Sequence, residues 1–339
     1  MQRNSSIEEV DSALKLFELE NNILPLNQCD EEIYCFDEEV RAQQLEEAPW
    51  KSNPHYFRKV EISSVALVKM VMHARSGDNI EVMGLMLGKV IGNTMVVLDA
   101  FALPVEGSET RVNAQDDSYA YMVGYLERSQ ATGQKEPVIG WYHSHPGYGC
   151  WLSGIDVATQ ALHQVHEDPF LAVVIDPKRT MSAGKVDLGA FRTLPEDHTS
   201  GSAGVDGRRI VETDGYQSVP LSKIEDFGVH SAKYYPLDVS YFKSTLDQRL
   251  MERLWRKHWI KTLTQSPLIT NSEFTTQMVN EIADKIDTFN RDSKKGVAYN
   301  QILSESDAIA QEIAQGHKSQ ELKQRLFCKA QGIPNTNFP

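Results

Sequence analysis

The 339-residue chain has no run approaching the ~20 consecutive apolar residues that a bilayer span needs; its longest apolar stretches, such as Val96-Val97-Leu98, meet a charge within a few positions. No membrane association is expected. Its four cysteines, Cys29, Cys35, Cys150 and Cys328, include no CxxC pair, which suits a reducing compartment better than a disulfide framework. The first thirty residues lack the basic start and unbroken apolar core of a secretory signal, so secretion is not expected either. Positive charge is in deficit: 34 Lys+Arg stand against 47 Asp+Glu, and residues 1–50 alone hold 13 acids and 3 bases. With no broad phosphate-neutralising surface, nucleic-acid binding is not expected as the main activity. Gly and Pro, at 21 and 14 residues, are too few for a low-complexity chain.

What remains is an ordinary globular composition in a chain about twice the length of one average domain. Residues 1–50 read as an acidic docking arm, with the compact domain starting near Tyr56. Ser63-Ser64 followed by apolar residues at helical spacing, and closed by Gly77, predict a capped helix. Strands are expected at 82–87, 95–103, 138–143, 170–175 and 186–191, with helices at 116–130 and 155–167. That order implies an α/β sandwich around a central sheet over 51–228, interrupted by a Gly/Ser/Asp-rich loop or insertion at 196–218. Leu246, Leu250 and Leu254, flanked by Met251, Trp255 and Trp259, predict a C-terminal helical assembly region over 229–331, followed by a tail at 332–339. On this reading, truncation after about Gly228 leaves a folded domain that no longer enters a larger complex.

The chemistry lies in Gly140-Trp-Tyr-His143-Ser-His145-Pro146 and the residues after it, Gly-Tyr-Gly-Cys150-Trp-Leu-Ser153-Gly-Ile-Asp156. Residues two apart on a strand share a face, so His143 and His145 can aim both imidazoles at one point, while Pro146 and two glycines turn the chain. Asp156, near the start of the next helix, can fold back to the same point. Two imidazoles and a carboxylate with one open position form the ligand set of a catalytic zinc. Each piece also has a plain reading: HxH serves as a core or surface pair, and Ser153-Gly-Ile-Asp156 fits a helix capping box. Cys150 has no basic neighbour to activate it and reads as structural. His163 and His166 lack the added carboxylate motif expected of a second metal site.

HSHPGYGCWLSGID, together with Glu81-Val-Met-Gly-Leu-Met-Leu-Gly upstream, resembles the JAMM (MPN-plus) metalloprotease family, and the likeness extends over about residues 50–330. The resemblance implies an MPN fold, a curved mixed β-sheet flanked by helices. It implies zinc held by His143, His145 and Asp156, Glu81 as general acid/base, and Ser153 as oxyanion helper. EAPWKSNPHYF at 47–57 and the GYGCWLSGIDVATQ continuation resemble the catalytic subunit of a multisubunit deneddylating complex within that family. The implied substrate is the modifier Nedd-8 on the cullin of a cullin-RING ligase. The implied partners are other subunits of the complex, met through the C-terminal helices and the MPN domain, and the implied setting is cytoplasmic and nuclear. A proteasome-lid-type deubiquitinase and a non-catalytic MPN scaffold are the alternatives.

Pro104–Asp117 reads as a long polar loop between a strand and a helix, a lid over the site. Its place in the chain matches the first insertion of the family. Glu109 on it is expected to displace the catalytic water in the isolated chain, and Arg111 to pair with an acid such as Asp156.

Overall fold

The computed structural model describes residues 14–27, 33–106, 111–131, 133, 135–195, 230–255 and 272–291, with scattered positions between 303 and 314. Its frame is one mixed sheet. The strands are β1 (Leu24–Pro25), β2 (Lys59–Ser63), β3 (Val82–Ile91), β4 (Thr94–Glu106), β5 (Val138–Ser144), β6 (Leu171–Asp176), β7 (Asp187–Thr193) and β8 (Tyr234–Lys243), in the order β1-β8-β2-β4-β3-β5-β6-β7. β7 also pairs with β8, so the sheet curls round and closes. β3 runs antiparallel between β4 and β5, while β5–β6 and β2–β8 are parallel.

The closure explains the composition of the strands. β6, Leu-Ala-Val-Val-Ile-Asp, is buried at every position, as a strand covered on both faces must be. A helix through residues 14–20 (α1) is followed by α2 (Glu38–Glu47) and α3 (Pro49–Ser52), and then by α4 (Ser64–Ser76), which supplies the main filling of the core. Val65, Leu67, Val68, Met70 and Val71 are all buried, each contributing about 1.5–3 kcal/mol through removal from water. Ser63 caps α4 by accepting the Ala66 N–H at 3.1 Å while its hydroxyl donates to Leu98 O at 2.8 Å. Gly77 is the C-cap, where the sequence places it. Outside this core lie α5 (Arg111–Ala131), α6 (Gly154–Glu167), α7 (Pro177–Ala183) and α9 (Ser272–Arg291), whereas α8 (Thr245–Trp255) sends Met251 into it.

Three expectations need correction. The described part of the acidic arm is built into the fold: Leu14, Phe17, Ile23, Ala48 and Trp50 belong to the main core cluster, β1 pairs with β8, and Glu18 meets Lys243 at 2.6 Å. Among the described residues of the arm, only α2, which buries no residue, matches a solvated acidic segment. Second, the region beyond 228 is not helical throughout: after a single 3-10 turn at Ser231–Lys233, residues 234–243 form β8, which bridges β2 and β7. Third, most of 104–117 is not loop: β4 continues to Glu106 and α5 begins at Arg111. Glu109, the insertion at 196–218, Trp259 and the tail at 332–339 lie outside the described residues, as does the side chain of Arg111. Among the described residues no helix is long and apolar enough to cross a membrane.

Candidate metal centre

β5 lies inside the sheet between β3 and β6, and its last residues deliver His143 and, one step past the strand, His145. The His145 N–H donates to Ile175 O at 2.9 Å, which extends the pairing with β6. The chain then turns through Gly147 and Gly149, both at positive φ (93° and 84°), a conformation that favours glycine. Gly147 and Gly149 donate their N–H groups to the Asp176 carboxylate at 3.0 and 2.9 Å, and the Gly149 carbonyl accepts His145 Nδ1–H at 3.0 Å. That bond fixes the tautomer and leaves Nε2 free as a ligand.

α6 opens with a full capping box. Ser153 Oγ accepts the Asp156 N–H at 3.3 Å, and Asp156 Oδ2 accepts the Ser153 N–H at 2.9 Å. The plain reading of this motif is therefore correct, and it coexists with the metal reading. The same Oδ2 lies 3.4 Å from His143 Nε2 and 3.8 Å from His145 Nε2, and the two imidazole nitrogens face each other at 3.1 Å. Among the described residues this is the one such cluster of potential ligands. A tetrahedral ion with bonds of about 2.0–2.1 Å places its ligand atoms about 3.3 Å apart. The donor set and its spacing fit zinc.

The electrostatics favour the ligating forms. Burial pushes His145 below its ordinary value, partly offset by Asp156, a direction that favours the neutral imidazole. Burial raises the Asp156 carboxyl, but His143 and His145 outweigh it and hold the group below the usual carboxylate range. Glu81 immediately precedes β3. Met83 pairs with His143, and opposed residues of an antiparallel pair share a face, so Glu81 two positions back lies on the side of His145. The start of β3 is fastened by the Val82 N–H, which donates to Ser144 Oγ at 2.9 Å. Thus the residue between the two histidines, pointing the other way, anchors the general-base candidate.

Two participants were not legible in the sequence. Tyr148 stacks on His145 with centroids 4.5 Å apart, and its hydroxyl donates to the Glu81 carboxylate. Asp176, fully buried, holds the turn after His145 and also receives the N–H groups of Lys178 and Arg179 at the start of α7. Asp176-Pro177 signals a helix start, which it is, but nothing in that signal points to residues 147–149. Ser153 donates its hydroxyl to Asp156 Oδ2 at 2.6 Å. Cys150 is buried and burial pushes its thiol far up, which agrees with a structural role. His163 sits against Glu167 at 3.3 Å on the exposed side of α6, and His166 forms no ligand cluster with it among the described residues.

Residues 55–169 match the family described as JAB1/Mov34/MPN/PAD-1 ubiquitin protease. Over 329 residues, 94% of this chain and 98% of the relative, the sequence is 50% identical to COP9 signalosome complex subunit 5 of Drosophila melanogaster. It is 48% identical over 330 residues to the Dictyostelium discoideum protein of that name, covering 94% of this chain and 96% of the relative. To subunit 5a of Arabidopsis thaliana it is 55% identical over 278 residues, 81% of this chain and 76% of the relative.

Proposed function

The chain belongs to the JAB1/Mov34/MPN/PAD-1 family and, within it, to the COP9 signalosome subunit 5 group, and from that premise we propose that it is a zinc-dependent isopeptidase that releases Nedd-8 from cullin lysines as the catalytic subunit of that complex. The observation that carries the chemistry is the triangle of His143 Nε2, His145 Nε2 and Asp156 Oδ2, with edges of 3.1, 3.4 and 3.8 Å. His143, His145 and Asp156 would hold the zinc ion, which would supply polarisation of the scissile carbonyl and a water of pKa lowered to about 7. Glu81 accepts the proton of the attacking water and returns it to the departing lysine amine. The Tyr148 hydroxyl orients the Glu81 carboxylate until substrate arrives. Ser153 holds Asp156 in the resting site and turns its hydroxyl toward the oxyanion as charge develops.

The remaining expectations join this reading as proposals. β4 ends at Glu106, paired with Val82, so the chain leading to Glu109 departs one residue from the general base. This supports Glu109 as an occluding carboxylate in the isolated chain, with Arg111 assisting. Leu246 and Leu250 on α8 and Val279 and Ile286 on α9 are exposed, which supports assembly through these helices with other signalosome subunits. Neddylated cullin-RING ligases are the substrate, in cytoplasm and nucleus. A scaffold would be expected to lack a ligand, and none is missing here. The relatives named above carry the signalosome's name, which favours Nedd-8 over the proteasome-lid reading.

The test uses the complex assembled with this chain, offered Nedd-8–cullin and ubiquitin–cullin conjugates with and without chelator. Preferential, chelator-sensitive cleavage of the Nedd-8 conjugate is expected, with Glu81→Gln retaining zinc but losing turnover by about 10²–10⁴-fold. Chelator-insensitive cleavage would overturn the metal mechanism, and a preference for ubiquitin would overturn the substrate.

A further inference from the structure

We propose that Gln160 is a positioning residue for the metal centre: it fastens α6, which carries Asp156, to Trp141, the ring that sets the plane of His143. The inference rests on the zinc reading above.

A ligating imidazole is ordinarily oriented by a hydrogen bond from its second ring nitrogen. His145 follows that pattern through Gly149 O. His143 does not, because its Nδ1 is buried and has no hydrogen-bond partner among the described residues. Its plane is set by stacking. The Trp141 ring lies 4.6 Å away, centroid to centroid, at an interplanar angle of 13°. Trp141 stands two residues before His143 on β5, on the same face. The orientation of this ligand is therefore inherited from the orientation of the indole.

The indole is fixed in turn by α6. Its Nε1–H donates to Gln160 Oε1 at 2.9 Å. Gln160 follows Asp156 by one helical turn on the same side of the helix, and it is completely buried. The direction of its amide is settled by its neighbours, since Nε2 donates to the Phe170 carbonyl at 2.9 Å and to Gln164 Oε1 at 2.8 Å. Both acceptors require the NH₂ end, so the oxygen must face Trp141. Gln164 is anchored as well, accepting the Thr193 N–H at 2.8 Å and donating to Thr193 O at 3.0 Å.

The two elements that contribute ligands thus have a second point of registration away from the ligands themselves. A slip of α6 along β5 would change the separation of Asp156 Oδ2 from His143 Nε2 and break the Gln160–Trp141 bond together. The competing account is that Gln160 merely satisfies polar groups in the core. That account predicts lost stability alone. The positioning account predicts, in addition, a coupled effect on metal binding.

The full chain separates them with Gln160→Met, which keeps volume but removes the amide, Trp141→Phe, which keeps an aromatic face on His143 but removes the N–H, and the double variant. The readouts are zinc affinity by chelator competition, the visible spectrum of the cobalt-substituted chain, and unfolding of the metal-free chain. Each single variant is expected to weaken zinc about tenfold and to alter the cobalt bands. The double variant should bind no worse than the weaker single one, because both remove one link. Zinc affinity within about twofold of wild type with an unchanged cobalt spectrum, whatever happens to stability, overturns the proposal. If Gln160→Met does not fold, Trp141→Phe decides by the same two metal readouts. A wild-type chain without zinc affinity overturns the metal reading and this inference with it, whereas normal wild-type binding beside indifferent variants overturns this inference alone.

Discussion

Gly149 donates its backbone N–H to the buried Asp176 carboxylate at 2.9 Å, and that carboxylate receives Gly147 as well at 3.0 Å. The turn that presents its carbonyl to His145 is therefore held by an anion at the end of a neighbouring strand. Asp176→Asn sets an NH₂ group against at least one backbone donor, and an unmet buried donor costs about 1–3 kcal/mol. The expected result is a destabilised metal-free chain and about 10–100-fold weaker zinc binding, read by denaturant unfolding and chelator competition. Unchanged zinc affinity would mean that the turn holds its shape unaided.

Removal of the chain beyond Gly228 should unfold the domain rather than trim it. β8 supplies Tyr234, Leu237 and Phe242 to the interior and joins β2 to β7. Without it two strand edges and the apolar surface between them face water, an invitation to aggregation. Soluble yield and circular dichroism of the truncated chain check this, and a soluble, cooperatively unfolding product would contradict it.

Acid should weaken the metal-free fold in the range where histidines titrate. Burial holds both His145 and His73 below the ordinary value. As pH falls below about 6.5 the unfolded chain protonates first and the folded chain resists, so stability present above that pH is lost on the way down. Urea midpoints at about pH 7.5 and 5.5 should differ, the lower belonging to 5.5. His73, whose Nδ1 lies 2.9 Å from the Tyr142 hydroxyl, accounts for part of the difference, and His73→Gln should narrow it. An unaltered difference would assign the whole effect elsewhere.

Ser153→Ala removes a cap and the bond to Asp156 in one step. Loss of the cap costs about 1 kcal/mol. If the hydroxyl also serves the oxyanion, kcat should fall by about 10²–10³-fold, well beyond any decline in zinc occupancy. Steady-state kinetics at saturating zinc in the assembled complex measure this, and a fall matched by lost zinc would confine Ser153 to holding Asp156.

The clustering of His143, His145 and Asp156 was legible because its parts are local: His143 and His145 share a strand face by the two-residue period, and Ser153 and Asp156 share a helix turn. Most interior strands were legible for the same reason, as apolar runs between turn signals. β8 was not, since Tyr234–Lys243 mixes Pro236, Asp238, Ser240 and Lys243 among its apolar residues and is stabilised by neighbours distant in sequence. The N-terminal segment misled through its acids: Glu18 is taken up by an ion pair with Lys243 while Leu14, Phe17 and Ile23 enter the core. Asp176 and Gln160 act through partners that only the fold brings together, 27 residues away for Asp176–Gly149 and 19 for Gln160–Trp141.

The most direct test is X-ray absorption at the zinc edge on the purified full chain. Two imidazoles and one carboxylate predict a first shell of nitrogen and oxygen at about 2.0–2.1 Å with no sulfur at about 2.3 Å, at one zinc per chain, lost in Asp156→Ala. A sulfur shell, or full zinc occupancy in Asp156→Ala with an unchanged spectrum, would contradict the account.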